Sequence, residues 1–477
     1  MNARISNVIL SSRQPKPSRP KENAMTRAKF LPISSAILGI LLLSTNSAVS
    51  DEVRHLKLEE AVRLALAQNR SLKIARLKIE ENEHKKEGAR SAYYPILTNQ
   101  SNILHISELQ NITIPQGSLG SPGGFPVPGQ TTTVPEGKNT LYSSGTMLAQ
   151  PLTQLLRIHQ ENRIAAAEVA TSRSDLKNAE NEVALQVHAL YFGILVAQLQ
   201  KRAAEQDTSF ATAALHENEN GVRNGSALQV AALQSRAEFL QGQQSVLTAV
   251  LQIEDYSTEL NDLLGLPLDT KLDLDPEVET NFETQSKDEY LKAAWDGNPE
   301  IRSAQLTIEK ARAGVAAAKT AYIPDVTAYA RYSYQDGVPF FVHNFGTVGV
   351  NLNYTLWDFG KRKATVREHD AQLGEAEVNL ERLKEQVAVE VERTYNKLER
   401  TKSMVNVATQ VAQLRAESER LATDQAAQGV VLISDVRHAT AATYKAKADL
   451  LQASLGYLLA WAELERTVGR APGLGTP

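Results

Sequence analysis

The chain has 477 residues, of which 42% are apolar and only 6% aromatic, a formal charge of -4 and no cysteine. A chain without cysteine has no disulfide, no thiol nucleophile and no lipid-bearing N-terminal cysteine, so attachment by that route is excluded. So few aromatic residues argue against one large globular core and suit long, alanine-rich packed helices.

Residues 1–50 read as an N-terminal extension followed by a secretory signal over Met25–Ser50, with Met25 as a candidate start. Arg27 and Lys29 form its charged beginning, Ala36–Leu43 its apolar middle, and Ala48-Val49-Ser50 a small-residue cleavage site. The apolar run is too short to cross a bilayer as a helix. Beyond Ser50 the chain holds 44 basic and 54 acidic residues, a net charge near -10. That balance opposes nucleic acid or an anionic membrane surface as a partner.

After the signal, apolar spacing predicts a helix from about Leu58 to Arg90, with Leu72, Ala75 and Ile79 at coiled-coil positions. It stops at Ala92-Tyr93-Tyr94-Pro95, since proline cannot continue it. A hairpin follows, with strands near Ile96–Leu109 and Leu141–Pro151 around a Gly/Pro/Thr-rich exposed loop, Asn111–Lys138. Gly117, Gly120, Gly123 and Gly124 in that loop lack the strand-to-helix setting of a phosphate cradle. A very long helix is predicted over Leu155–Asn220, a glycine turn at Gly221–Gly225, and a shorter helix near Leu228–Leu264. Leu266–Ser286, with Pro267 and Pro276, reads as a connector packed outside the helical wall.

The same series then repeats. Ile301, Ala304, Ile308, Ala311, Val315, Ala318 and Tyr322 step 3-4-3-4-3-4 up to Ile323-Pro324, a seam for a partner helix. Strands are predicted at Asp325–Tyr334 and Thr347–Leu356, then a long helix over Lys361–Gln425 and a short one near Leu432–Val468. Asn69, Tyr93 and Pro95 match Asn298, Tyr322 and Pro324 at an offset of 229, whereas Val183, Val187 and Tyr191 match Val387, Val391 and Tyr395 at 204. Copy one therefore carries 25 extra residues between its strands. The expected organisation is a first repeat over 56–282, a second over 283–470, and a disordered tail, 471–477. Each long helix spans roughly 100 Å and each shorter one roughly 50 Å, so two short helices end to end match one long one. This is the length pattern of a cylinder wall.

Nothing supports catalysis or a cofactor. The nine histidines are scattered, no His-Glu-x-x-His or nucleophile elbow occurs, and the carboxylates follow helix-surface spacing. Glu417, Glu419 and Asp424 either line a cation path or form a solvated face. Trp357 and Tyr354 are either interfacial anchors or packing at a strand-helix bend.

Gln150-Pro151-Leu152 and Leu356-Trp357-Asp358-Phe359-Gly360-Lys361, at the two strand-helix joints, together with Gly429-x5-Asp435-Val436 and the duplication itself, resemble the TolC-like outer membrane efflux proteins. The resemblance covers roughly Leu56–Arg470. It implies a mainly α protein in which an α-barrel of long helices continues into a transmembrane β-barrel, with four strands per chain and twelve in a homotrimer. It implies the outer membrane of a Gram-negative bacterium, extension into the periplasm, and docking on a periplasmic adaptor and an inner-membrane RND or ABC transporter. Strand arithmetic points the same way: four strands leave open edges that lipid does not tolerate, eight leave no lumen, and twelve do.

The resemblance also supplies site residues. Pro151, Leu152, Trp357 and Gly360 mark the joints, and Gly225, Leu228, Gly429, Leu432 and Val436 mark the helix-tip turns where an adaptor docks. Asp435, His438 and Asp424 mark the pore entrance. Relatives carry Tyr and Arg near the tip glycine and often Asp three residues after the entrance acid. Here those places hold Ala426, Val431 and His438, and the first-copy counterpart of Asp435 is Ala231. The function expected is a passive exit duct of a tripartite efflux or type I secretion system. The competing class is a secreted periplasmic coiled-coil scaffold without a membrane barrel. Only four methionines and no cysteine weaken a dedicated soft-metal relay.

Overall fold

The computed structural model describes residues 53–135, 137–276, 284–338, 341–431 and 433–471. The expected signal segment, Leu432 and the tail from residue 472 lie outside them. Copy one comprises β1 (Arg54–Leu56), α1 (Leu58–Gln68), α2 (Arg70–Ser91), β2 (Ile96–His105), β3 (Asn111–Ile114), β4 (Thr132–Pro135), β5 (Thr140–Pro151), α3 (Leu155–Arg223) and α4 (Gln229–Leu264). After β6 (Leu272–Leu274), copy two comprises α5 (Lys287–Gly297), α6 (Pro299–Lys319), β7 (Asp325–Asp336), β8 (Asn344–Asn353), α7 (Lys361–Ala427) and α8 (Ile433–Val468).

The rods α3 and α7 run unbroken for 69 and 67 residues, about 100 Å each. Beside α3, α2 covers the half nearest the strands and α4 the other half, and α6 and α8 do the same for α7. The residues that make this possible are small: the side of α3 facing its neighbours carries Ala165, Ala167, Ala184, Ala197 and Ala211, so the backbones approach closely. One stretch of α3 is long and apolar enough to cross a membrane, but half of it is buried against the other helices.

The helix expected to run from Leu58 to Arg90 is two helices meeting at Asn69. Its backbone is non-helical (φ -58°, ψ 129°), and its Oδ1 accepts from the Ser71 and Leu72 amides, starting α2 afresh. Asn298 does the same for Glu300 and Ile301, with Pro299 at the first helical position. Both amides also donate outward, Asn69 to the Leu263 carbonyl (3.3 Å) and Asn298 to the Thr467 carbonyl (2.9 Å). Leu263 and Thr467 are repeat partners, so each copy ties the start of its upper helix to the end of its lower one.

Two cores sit at the midpoints of the long rods. The first gathers Val183, Val187, Tyr191 and Ile194 of α3 with Ala65, Leu72, Leu260 and Leu264. The second gathers Val387, Val391 and Leu398 of α7 with Ala294, Ile301, Leu464 and Val468. The connector between the copies adds something the sequence pattern did not reveal. Its β6 pairs in parallel with β1, and the buried Tyr191 hydroxyl reaches the carbonyls of Leu56 (3.0 Å), at the end of β1, and Asp275 (2.9 Å), just past β6.

At the far end, β2, β5, β7 and β8 form one antiparallel sheet in that order, leaving β2 and β8 as its edges. The described residues of Asn111–Lys138 are mostly exposed, as expected, but they are not structureless. β3 and β4 pair within it as a separate two-stranded hairpin, with Ile112 opposite Val134.

Candidate channel wall, membrane joint and tip

Residues directly opposite one another across a ladder share a face. One face of the sheet therefore carries Val326, Ala328 and Ala330 beside Leu352, Val350 and Val348, then Tyr332, Tyr334, Tyr142, Leu148 and Leu97. Val348 is 87% exposed, in keeping with a surface made for lipid rather than for a protein core. The polar residues of that face satisfy one another: Asn99 Nδ2 donates to Thr146 Oγ1 (2.8 Å), and Ser101 Oγ lies 2.9 Å from Ser144 Oγ. The opposite face carries Thr98, Gln100, Asn102, Ser143, Arg331, Gln335, Asn351 and Asn353, a polar lining.

The helical wall has matching open edges. α4 exposes Val230, Leu233, Leu240, Leu247 and Leu251 in a line, and α7 exposes Met404, Val407, Val411, Leu414 and Leu421. Both lines step by threes, fours and sevens, which is the spacing of a coiled-coil seam without its partner. A shallow apolar groove between α7 and α8, lined by Met404, Val407, Val411 and Ala446, runs beside the second.

The sheet-helix joint is held around Arg362, a residue that the sequence pattern does not single out. Arg362 donates to Asp358 (Nε to Oδ2, 2.6 Å) and to the Thr355 carbonyl, and its guanidinium lies between the rings of Tyr322 (5.4 Å) and Tyr354 (5.2 Å). Asp358 also accepts from the Gly360 and Arg362 amides, capping α7. Burial pushes the Asp358 carboxyl up, but these hydrogen bonds, led by Arg362, outweigh it and hold the group below the usual range. The i,i+4 spacing of Asp358 and Arg362 was the available signal. Thr153 links the joints, donating to the Pro324 carbonyl (2.7 Å) and accepting from the Val326 amide (2.9 Å). Of the predicted joint residues, Pro151 ends β5 opposite Thr327, and Leu152 continues the ladder to Val326. Trp357 is 74% exposed and packs edge-on against Phe359, itself 93% exposed and, like Gly360, at positive φ.

At the other end, Gly225 and Gly429 reverse the chain at φ 74° and 72°, a conformation that side chains with a Cβ rarely adopt. Leu228 is exposed at the cap of α4, Val436 is half-buried, and Leu432 lies outside the described residues. Asp435 is exposed in the first turn of α8. Asp424 pairs with Arg420 (2.9 Å), which also binds Glu417 (2.7 Å); the same hydrogen bonds lower the Glu417 carboxyl. His438 stacks on Phe210 of α3, ring centres 6.4 Å apart. Burial raises the nearby Asp207 carboxyl, an effect that Lys445 and His438 partly offset. The tip thus mixes cations with its acids. Among the described residues, no cluster of His, Asp and Glu is arranged to hold a metal.

The family model for the outer membrane efflux protein matches residues 61–266 and 290–470. Outer membrane efflux protein BepC of Brucella suis biovar 1 (strain 1330) is 24% identical over 274 residues, 55% of this chain and 58% of that protein's length. The CmeC outer membrane channel of Campylobacter jejuni superposes with a TM-score of 0.68 at 16% identity, over 88% of this chain and 87% of its own. The outer membrane protein VceC of Vibrio cholerae gives 0.67 at 15% identity, over 87% and 96%. Together these comparisons give the long-helix wall and four-stranded sheet the fold of solved outer membrane channels. This chain belongs to the outer membrane efflux protein family.

Proposed function

We propose that the chain is one third of a homotrimeric exit duct that passively carries cargo from an inner-membrane pump and its periplasmic adaptor to the exterior. The observation that carries this is that the protomer is unclosed at every level. β2 and β8 are unpaired sheet edges, and α4 and α7 are outer helices with exposed apolar seams. Open strand edges are untenable in lipid, so copies must close on one another, β8 to the next β2 and α7 to the next α4. Twelve strands leave a lumen where eight do not. A scaffold lacking a barrel gives the apolar sheet face no purpose.

In this reading the repeats divide at about residue 283, Asn111–Lys138 faces the exterior, and the turns at Gly225, Leu228, Gly429, Leu432 and Val436 meet the adaptor. Asp435 and His438 recur three times around the entrance, and the acids favour cations there, although Arg420 offsets part of the charge of Asp424. An RND or an ABC transporter fits equally as the pump.

The natural absence of cysteine makes the test clean. Cysteine pairs, one on β2 and one on β8, are expected to give a covalent, heat-stable trimer in detergent that conducts in planar bilayers. A stable folded monomer, or a product that stops at dimer, would overturn the architecture. In the conducting trimer, Asp435→Asn is expected to reduce cation selectivity; no change would place Asp435 away from the lumen.

A further inference from the structure

The polar face of the sheet holds one feature that a bare channel wall does not need. Across β2, β5, β7 and β8 that face carries only two charged residues, Asp325 and Arg331, both on β7. They are six residues apart, about 20 Å along the strand, too far to pair. No carboxylate hydrogen-bonds or ion-pairs with Arg331 among the described residues. Asp336, the acid nearest in sequence, lies on the other face and binds Lys138 (2.9 Å).

The guanidinium is not loose. It lies sideways over Gly145 of β5, where a Cβ would stand 2.6 Å from Nη2 and 2.7 Å from Nε. The neighbouring large residue on the same face, Tyr329, leans the opposite way over Gly349 of β8, its hydroxyl 3.0 Å from where that Cβ would stand. Two glycines thus let the two bulkiest side chains on that face of β7 lie along the wall instead of across the space it encloses. The lipid-facing side of the sheet is the apolar one, and an arginine there is strongly disfavoured. Arg331 therefore points inward.

We propose that Arg331 forms a fixed ring of positive charge inside the β-barrel, a weak binding site for anionic groups, the carboxylates and phosphates of small ions and cargo. This rests on the trimeric-channel reading, since three copies are needed to place three guanidinia at one level. A guanidinium offers a planar fork of donors to a carboxylate or phosphate, and a site that binds weakly assists passage instead of blocking it. Gly145 is a positioning residue: it keeps the ring flush with the wall, so that charge is presented without narrowing the lumen.

The test uses the purified full-length protein in planar bilayers with a potassium chloride gradient. Arg331→Gln is expected to lower the chloride-to-potassium permeability ratio about twofold or more, while Arg331→Lys keeps most of it. Inorganic phosphate should slow potassium current through the wild type and not through Arg331→Gln. Gly145→Ala should lift the guanidinium off the wall and lower single-channel conductance, and Gly145→Ala with Arg331→Ala should restore it. An unchanged permeability ratio for Arg331→Gln in a trimer that conducts normally removes the ring and leaves the channel standing. A conductance loss in Gly145→Ala that Arg331→Ala does not relieve removes the seating over glycine. Wild-type protein that neither trimerises nor conducts removes the channel itself, and the ring with it.

Discussion

The two repeats solve the same packing problem with different side chains. In each, an asparagine starts the upper helix, donates to the end of the lower one, and closes a core at the midpoint of the long rod. Around that shared clamp they diverge. Copy one adds the β1–β6 bridge, with Tyr191 hydrogen-bonded to the ends of that pair at Leu56 and Asp275, whereas the hydroxyl of its counterpart Tyr395 has no hydrogen bond among the described residues. His188 of copy one is buried against Phe192 and bonded to the Ala184 carbonyl, while its counterpart Glu392 is exposed and pairs with Lys287 (2.8 Å). The asparagine and the apolar rows are what the geometry requires. The remaining contacts are free to change from backbone bridge to salt bridge.

This comparison can be broken most readily at the asparagines. Asn69→Ala and Asn298→Ala each remove a helix cap and a buried donor, so each should cost about 2 kcal/mol, read from urea unfolding of the detergent-solubilised protein. Equal losses support one clamp built twice, whereas a silent Asn298→Ala would show that Pro299 alone starts its helix. Next in size is the asymmetric pair. Tyr191→Phe gives up two hydrogen bonds to carbonyls and should cost about 1 kcal/mol, while Tyr395→Phe should stay within about 0.5 kcal/mol. Similar costs for the two would mean that the strand bridge contributes nothing.

Smallest is a pH effect. Burial, only partly offset by the Ala184 carbonyl, holds the His188 pKa below its ordinary 6.5. A depressed pKa contributes stability above the unfolded value that is lost as pH falls toward the folded one, so copy one should weaken from about pH 6.5 downward. In copy two the Lys287 hydrogen bond lowers Glu392 from its ordinary 4.5, so its loss begins only in more acidic solution. Hydrogen exchange at about pH 5.5 and 7.5 should show α3 near His188 loosening before α7 near Glu392. His188→Gln should remove that order, and simultaneous loosening in the wild type would contradict it.

Much of the architecture was legible because long helices and duplicated residues leave strong periodic traces. Val183 and Val387, or Val187 and Val391, are placed by their spacing alone. The break at Asn69 was hidden because Arg70 is a good helix former; only in copy two does Pro299 follow the asparagine, and the repeat comparison was needed to carry that signal back. The β1–β6 pairing joins three-residue strands more than two hundred residues apart, below what any local pattern can show. At the joint, Asp358 belonged to the legible motif, but Arg362 stood outside it because the ring of Tyr322 reaches its guanidinium only in three dimensions. Arg331 stood out in no motif, since its meaning comes from a glycine on another strand.

The unpaired edges β2 and β8 have a genetic consequence. In the proposed trimer, a ring closed by three protomers is only as sound as each seam, so a protomer damaged on one edge spoils every assembly it enters. Such an allele should be dominant. Expressed equally with the wild type, it leaves about one ring in eight free of the damaged subunit. Changes buried within one protomer's core, by contrast, remove that subunit before assembly and spare the rest. Titrating mixed expression against channel yield would distinguish a cubic dependence on the wild-type fraction from a linear one.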